Sequence, residues 1–263
     1  MALITVSGTQ NVGKSTYIRD FLDHWPMFKT PEKTYRELAK ERGAKLNKEA
    51  DQESQKIIRD SLIEQIDSYS RKKNVIFDRC PLDNLVYTLW LYEHDKGDID
   101  ADFVAESIKK TRLAIQRIDL MILIPSVDKI KLVADGVRDI DKQYREEINN
   151  IFVDLKEKRE NGDDIFFVAE DCAPIIDISG TREDRIEQTK LYLKDNGEFY
   201  GEEDSCLFDG NGELINKDDF NPIEDRGESD LLRKKLGIKN NFDPNSIIGD
   251  ISGFEHIKKN IGL

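Results

Sequence analysis

Leu3-Ile4-Thr5-Val6-Ser7-Gly8-Thr9-Gln10-Asn11-Val12-Gly13-Lys14-Ser15-Thr16 is the stretch that decides the fold. Leu3 to Val6 is an apolar, β-branched run of strand type, and Thr16 to Leu22 continues with amphipathic helical spacing. Between them, Gly8 to Ser15 fits G-x-x-x-x-G-K-[ST], a pattern that is informative only between a strand and a helix. The glycines let backbone N–H groups turn inward around a β-phosphate, and the helix start adds its free donors and positive dipole end. Gly8, Thr9, Gln10, Asn11, Val12, Gly13, Lys14, Ser15 and Thr16 are therefore expected to cradle a nucleoside triphosphate. Lys14 would reach the β- and γ-phosphates, and Ser15 would hold Mg²⁺.

Working outward, 263 residues fit one α/β domain plus an appendage. A net charge of −13 argues against non-specific nucleic-acid binding and against an anionic membrane surface, although a local basic groove survives an acidic total. Cys80, Cys172 and Cys206 have no paired spacing, which suggests a reducing compartment rather than a disulfide framework or a zinc site. The first strand starts at once, leaving no room for a signal peptide, and no apolar run approaches the roughly 20 residues of a membrane span. The expectation is a cytoplasmic enzyme.

Further strand-like runs fall at Asn74–Phe77, Asp119–Ile124 and Ile175–Ile178, with long helical stretches between them and a short extra strand near Met27–Lys29. Strands separated by helices imply right-handed crossovers and a parallel sheet covered on both faces. Helical periodicity is clear at Ile58, Leu62, Ile66 and Tyr69, and at Tyr144, Ile148, Ile151, Phe152 and Leu155. From Asn196 the composition turns acidic and rich in Gly and Asn. The division is thus a catalytic domain over 1–195 and an appendage over 196–263, with a hairpin-like run at 206–215 and an apolar-periodic segment at 254–261.

The second motif is Asn74-Val-Ile-Phe-Asp78-Arg79-Cys-Pro-Leu-Asp83, a strand that ends in Asp-Arg and turns into a helix. Asp78 suits the water-mediated orientation of Mg²⁺, and Arg79 would face the phosphates at the carboxyl ends of the strands. A surface ion pair at a strand exit is the competing reading.

With these residues in place, the chain resembles the thymidylate kinase and deoxynucleoside kinase group. Asp135-Gly-Val-Arg138-Asp-Ile-Asp-Lys-Gln-Tyr144-Arg145 resembles the lid of the ribosylnicotinamide-kinase-like branch. The resemblance spans about residues 1–195 and implies an α/β P-loop fold of the nucleoside-monophosphate-kinase type, with a lid over about 135–150. Arg138 and Arg145 are seven apart and share a face if the segment is helical. Both would then close over the triphosphate, where guanidinium groups neutralise developing charge. A solvated helix laced by Asp141 and Arg145 is the alternative.

In the resembled group a Glu, followed by an Arg, lies close to the acceptor, and Glu32 and Arg36 sit at that place. A hydroxyl acceptor needs a base, with Glu32 the first choice and Asp78 the second. An acceptor that is already a phosphate needs none, and Arg36 and Arg79 would clamp it. Glu32 and Arg36 also fit a plain helix start after Pro31. Arg182, after the last strand, falls where related kinases lay a loop against adenine. Asp209-Gly-Asn-Gly resembles half a calcium loop but aligns Leu207 with the first ligand, so a hairpin turn explains it better. His24, His94 and His256 form no metal-type spacing, and Cys80 beside Asp-Arg suits packing.

These readings converge on a phosphotransferase using ATP and Mg²⁺, acting on a (deoxy)nucleoside monophosphate or nucleoside. One alternative is a phage-type kinase of the hydroxymethyl group of 5-hydroxymethyluracil in DNA, because the overall cast of the chain also resembles the thymidylate-kinase-like phage enzymes that carry out that reaction. Another is a regulatory ATPase switch. The nucleotide-type acceptor, free or within DNA, is the expected partner, and the tail is compatible with a homodimer.

Overall fold

The first strand, β1 (Leu3–Ser7), is buried along all five residues and lies at the centre of a parallel sheet. The computed structural model describes residues 1–69, 73–126, 141–160 and 173–200, with backbone alone at 159 and 160. Within them the chain runs β1, α1 (Lys14–His24), α2 (Tyr35–Glu41), a 3₁₀ turn (Asn47–Glu49) and α3 (Gln52–Asp67). It continues through β2 (Val75–Asp78), α4 (Pro81–Glu93), α5 (Ala101–Ile115), β3 (Leu120–Leu123), α6 (Lys142–Glu160), β4 (Ile175–Asp177) and α7 (Arg182–Lys190).

The strand order is β2-β1-β3-β4, every pair parallel, with Thr5 opposite Phe77 on one side and Met121 on the other. The extra strand expected near Met27–Lys29 is reduced to one bridge, Lys29 to Val75, at the outer edge of β2. Period-2 alternation divides the sheet. Leu3, Val75, Phe77, Met121 and Leu123 pack with α4, α5 and α6 in one large core, and the intervening Ile4, Val6, Ile76 and Ile122 turn to the other face. The parallel arrangement demands cover on both faces, and the strands are apolar throughout for that reason.

Two features of the chain's ends of elements matter for the site. Gly8 (φ 133°) could carry no side chain, because a Cβ would stand 2.5 Å from the carbonyl oxygen of Ile124 on β3's exit. At α4, Cys80 is the N-cap, Pro81 occupies the first helical position and Asp83 accepts from the Cys80 N–H at 3.1 Å, so the helix begins directly at the strand's end. Residues after α7 continue to pack: Leu193 is buried and the Lys194 carbonyl accepts from Trp25 Nε1 at 2.9 Å. The compact unit runs from Met1 through Glu198. No helix among the described residues is long and apolar enough to cross a membrane. Arg138, the lid before 141, the hairpin-like run and the apolar segment of the tail lie outside the described residues.

Candidate active site

The loop Gly8–Ser15 leaves β1 and winds into α1 with Gly13 as N-cap in the left-handed region (φ 91°) and no side-chain cap hydrogen bond. Gly13 thus brings no side chain of its own to the first-turn N–H groups of α1, the groups an anion site uses. Lys14 is buried and folds back on its own loop, donating to the carbonyls of Gly8 at 2.7 Å and Thr9 at 2.6 Å. Burial, reinforced by the Arg79 guanidinium, lowers its pKa to about 7, while Asp83 and Asp78 oppose the shift.

Asp78, at the end of β2, brings Oδ2 to 3.4 Å from the Ser15 hydroxyl, and its buried Oδ1 has no hydrogen-bond partner among the described residues. A hydroxyl and a carboxylate with a spare oxygen form a hard-oxygen donor pair of the kind Mg²⁺ takes alongside phosphate oxygens. The residues present therefore fit that ion. Among the described residues no cluster of three or more His, Cys, Asp or Glu groups forms a metal cage.

Arg79 follows with a positive φ of 81° and is buried. Its guanidinium stacks 4.8 Å from the Tyr35 ring centre and 5.3 Å from that of Tyr87, and Nη1 donates to Asp83 Oδ1 at 3.2 Å. Nε has no hydrogen-bond partner among the described residues. Arg79 and Tyr35 together form the wall between two cavities. One holds Lys14, Ser15, Arg36 and Asp78. The other is lined by Leu46, Gln55, Ile58, Asn84 and Tyr87. Arg36, whose Nε donates to the Tyr35 hydroxyl at 3.1 Å, reaches the phosphate cavity from α2.

Two expected site residues stand elsewhere. Glu32 is exposed and lines a separate hollow with Pro31, Leu38, Glu64 and Gln65, outside the phosphate cavity. The helix start explains this: Thr34 caps α2 in a reciprocal box with Glu37, so Tyr35 and Arg36 are the first helical residues and Glu32 precedes the cap. Arg182 does not approach the loop. It is the first residue of α7 and forms an ion pair with Asp20 on α1, Nε to Oδ2 at 2.8 Å. One turn later, Arg185 does approach it, donating from Nη1 to the Val12 carbonyl at 3.1 Å. The phase of α7 is set by the Thr181–Asp184 capping box, and nothing local to Arg182 distinguishes it from Arg185.

Arg145, in the first turn of α6, is buried, and its Nε and Nη1 have no hydrogen-bond partner among the described residues. Cys80 is fully buried, 3.6 Å from the Ser7 hydroxyl, and burial pushes its thiol up to about 12, which leaves it inert. Sequence reasoning missed Asp83, Tyr35, Tyr87 and Arg185. For Asp83 a signal existed: an acid two residues after a helix-starting Pro marks an N3 cap.

The chain belongs to the AAA domain family, whose model matches residues 3–185. Among curated proteins nothing matches the sequence. Solved structures do. The NadR protein in complex with NR superposes with a TM-score of 0.52 at 16% identity, covering 73% of this chain and 51% of NadR. The deoxyadenosine kinase of M. mycoides, with the products dCMP and dCDP, gives 0.50 at 17%, covering 71% of this chain and 95% of the kinase. A thymidylate kinase from Candida albicans gives 0.47 at 17%, covering 82% and 95%. At these identities the likeness to the first two defines the fold alone, that of an α/β P-loop NTPase. The chain spans about half the length of the NadR protein it matches.

Proposed function

We propose that this protein is an ATP-dependent phosphotransferase whose acceptor is a nucleotide already bearing a phosphate, such as a (deoxy)nucleoside monophosphate. The observation that carries this reading is the pair Arg36 and Arg79 at the cavity beside Lys14, with Glu32 in a different hollow and Asp78, the other candidate base, turned to the Ser15 hydroxyl at 3.4 Å, where the Mg²⁺ role engages it. A phosphate acceptor needs cationic clamps and no strong base, whereas a hydroxyl acceptor needs a carboxylate within hydrogen-bond reach. The adjoining cavity, walled by Tyr35, Tyr87, Leu46 and Ile58, presents aromatic and aliphatic faces of the kind that line a base site, and at about 30 Å³ it must widen to take one.

In this reading Lys14 exchanges the carbonyls of Gly8 and Thr9 for the β- and γ-phosphates of ATP. Ser15 and Asp78 would hold Mg²⁺, which supplies charge neutralisation on the β- and γ-oxygens when bound. Arg79 and Arg36 orient the acceptor phosphate in line, and Arg145, with Arg138 from the lid, offsets charge on the transferred group. Arg185 borders the donor side of the loop in the place first expected for Arg182.

The test uses γ-labelled ATP and two acceptor sets, a panel of nucleosides and nucleoside monophosphates, and hydroxymethylated alongside plain DNA. Label in a nucleoside diphosphate is the expected result. Label confined to hydroxymethylated DNA overturns the free-nucleotide acceptor in favour of DNA modification. ATP hydrolysis with nothing labelled favours a regulatory ATPase instead.

A further inference from the structure

We propose that Asp83 is a positioning residue, holding Arg79 at the wall between the two cavities and tying that arginine to the phosphate-binding loop. The kinetic consequences rest on the phosphotransferase reading above; the geometric claim does not.

Asp83 is 1% exposed, and both of its oxygens are used twice. Oδ2 accepts from the Ser7 hydroxyl at 2.7 Å and from the Cys80 N–H at 3.1 Å. Oδ1 accepts from the Gly8 N–H at 3.3 Å and from Arg79 Nη1 at 3.2 Å. Capping α4 calls for the Cys80 contact alone. The contacts of Oδ1 exceed that need, and they join the first residue of the phosphate loop to the arginine that separates donor from acceptor. A carboxylate this buried is stable only when paired, and Arg79 is its one ion-pair partner among the described residues.

Arg79 needs such a partner. Its backbone stands in the left-handed region, which costs about 1–3 kcal/mol and persists only where the surroundings enforce it. The Tyr35 and Tyr87 rings, 4.8 and 5.3 Å from its guanidinium carbon, attract the charge but are less directional than a hydrogen bond. The Asp83 carboxylate supplies that hydrogen bond. It also offsets the repulsion between Arg79 and Lys14, whose other charged neighbours are Asp78 and Arg36.

The experiment compares wild type, D83N, R79M and the double variant D83N/R79M. Acceptor KM and kcat, calorimetric binding of AMP-PNP and thermal stability are measured for each. D83N is expected to lower kcat/KM for the acceptor about a hundredfold, the scale of a misplaced reacting group, with a much smaller change in AMP-PNP affinity. If Asp83 acts through Arg79, the double variant is no worse than R79M; a purely structural defect would multiply the two losses. Wild-type kinetics in D83N, or multiplied losses, overturn the proposal. Asp83→Ser keeps an acceptor for the Cys80 N–H, and serves the same measurements if D83N does not fold. Should the wild type label no acceptor, the transferase reading fails, and a crystal structure of D83N decides the geometry. Arg79 displaced from between Tyr35 and Tyr87 supports the proposal; Arg79 in place overturns it.

Discussion

Lys14 carries two consequences that can be separated by experiment. Lys14→Ala should lower phosphoryl transfer by at least about a hundredfold, on the scale of other lost transition-state charge contacts, while the circular dichroism spectrum stays that of the folded protein. An unchanged rate would show that the loop is not the donor site. The second consequence is pH dependence. A lysine at about 7 in the folded chain, against about 10.4 when unfolded, binds fewer protons folded than unfolded across that interval. Its contribution therefore penalises folding below about pH 7, and the penalty lifts as pH rises toward 10. Denaturant unfolding of wild type and Lys14→Ala at pH 6, 8 and 9.5 should show a stability gap that shifts in favour of wild type as pH increases. A constant gap contradicts the burial argument. That Lys14, Ser15, Asp78 and Arg79 line one cavity was legible because each lies on a contiguous motif whose strand and helix fix its direction; the places of two others were harder to read. Glu32 and Arg182 each depend on where a short helix starts, and a capping box three residues away sets that start.

At the scale of elements, α2 is the part most open to perturbation. It has only seven residues, and its first two, Tyr35 and Arg36, face the phosphate cavity. Its start is fixed by Thr34, which accepts from the Glu37 N–H at 3.3 Å and whose own N–H donates to Glu37 Oε2 at 2.7 Å. Thr34→Ala should cost about 1 kcal/mol of stability. Acceptor KM should rise while ATP KM stays near wild type, because Lys14 and Ser15 belong to a different element. Equal changes in both KM values would detach α2 from the acceptor. The main strands could be read from their apolar runs to within a residue or two, as Asn74–Phe77 against β2 (Val75–Asp78) shows, whereas periodicity marked α3 and α6 only over part of their length. The edge near Met27–Lys29 could not: a single bridge carries no alternation to detect.

Across the whole molecule, the chain closes on itself at α1. The Tyr17 hydroxyl meets Thr189 at 2.8 Å, Trp25 donates to Lys194, and Leu193 is fully buried. These contacts join sequence positions over 160 apart and stand beneath the helix that begins at the phosphate loop. Leu193→Ala should cost about 2–5 kcal/mol in denaturant unfolding, the range for a fully buried leucine truncated to alanine. A cost below that range would show that the residues after α7 only lean on the core. Composition alone put a boundary near 195, yet packing of this kind leaves no compositional trace.

The single Lys29–Val75 rung has a wider meaning. In the proposed reading the core of the donor side is carried by β1 at the sheet's centre, by α1 and by β2, the edge strand beside β1. In the proposed reading much of the acceptor side, from Tyr35 on α2 to Leu62 on α3, is one continuous stretch that departs just after that rung, and Arg79, Asn84 and Tyr87 complete it from the exit of β2 and from α4. Such a layout makes one wall of the acceptor side replaceable. A relative's stretch could be grafted between Lys29 and β2, altering which molecule is phosphorylated while the machinery that grips ATP is inherited untouched.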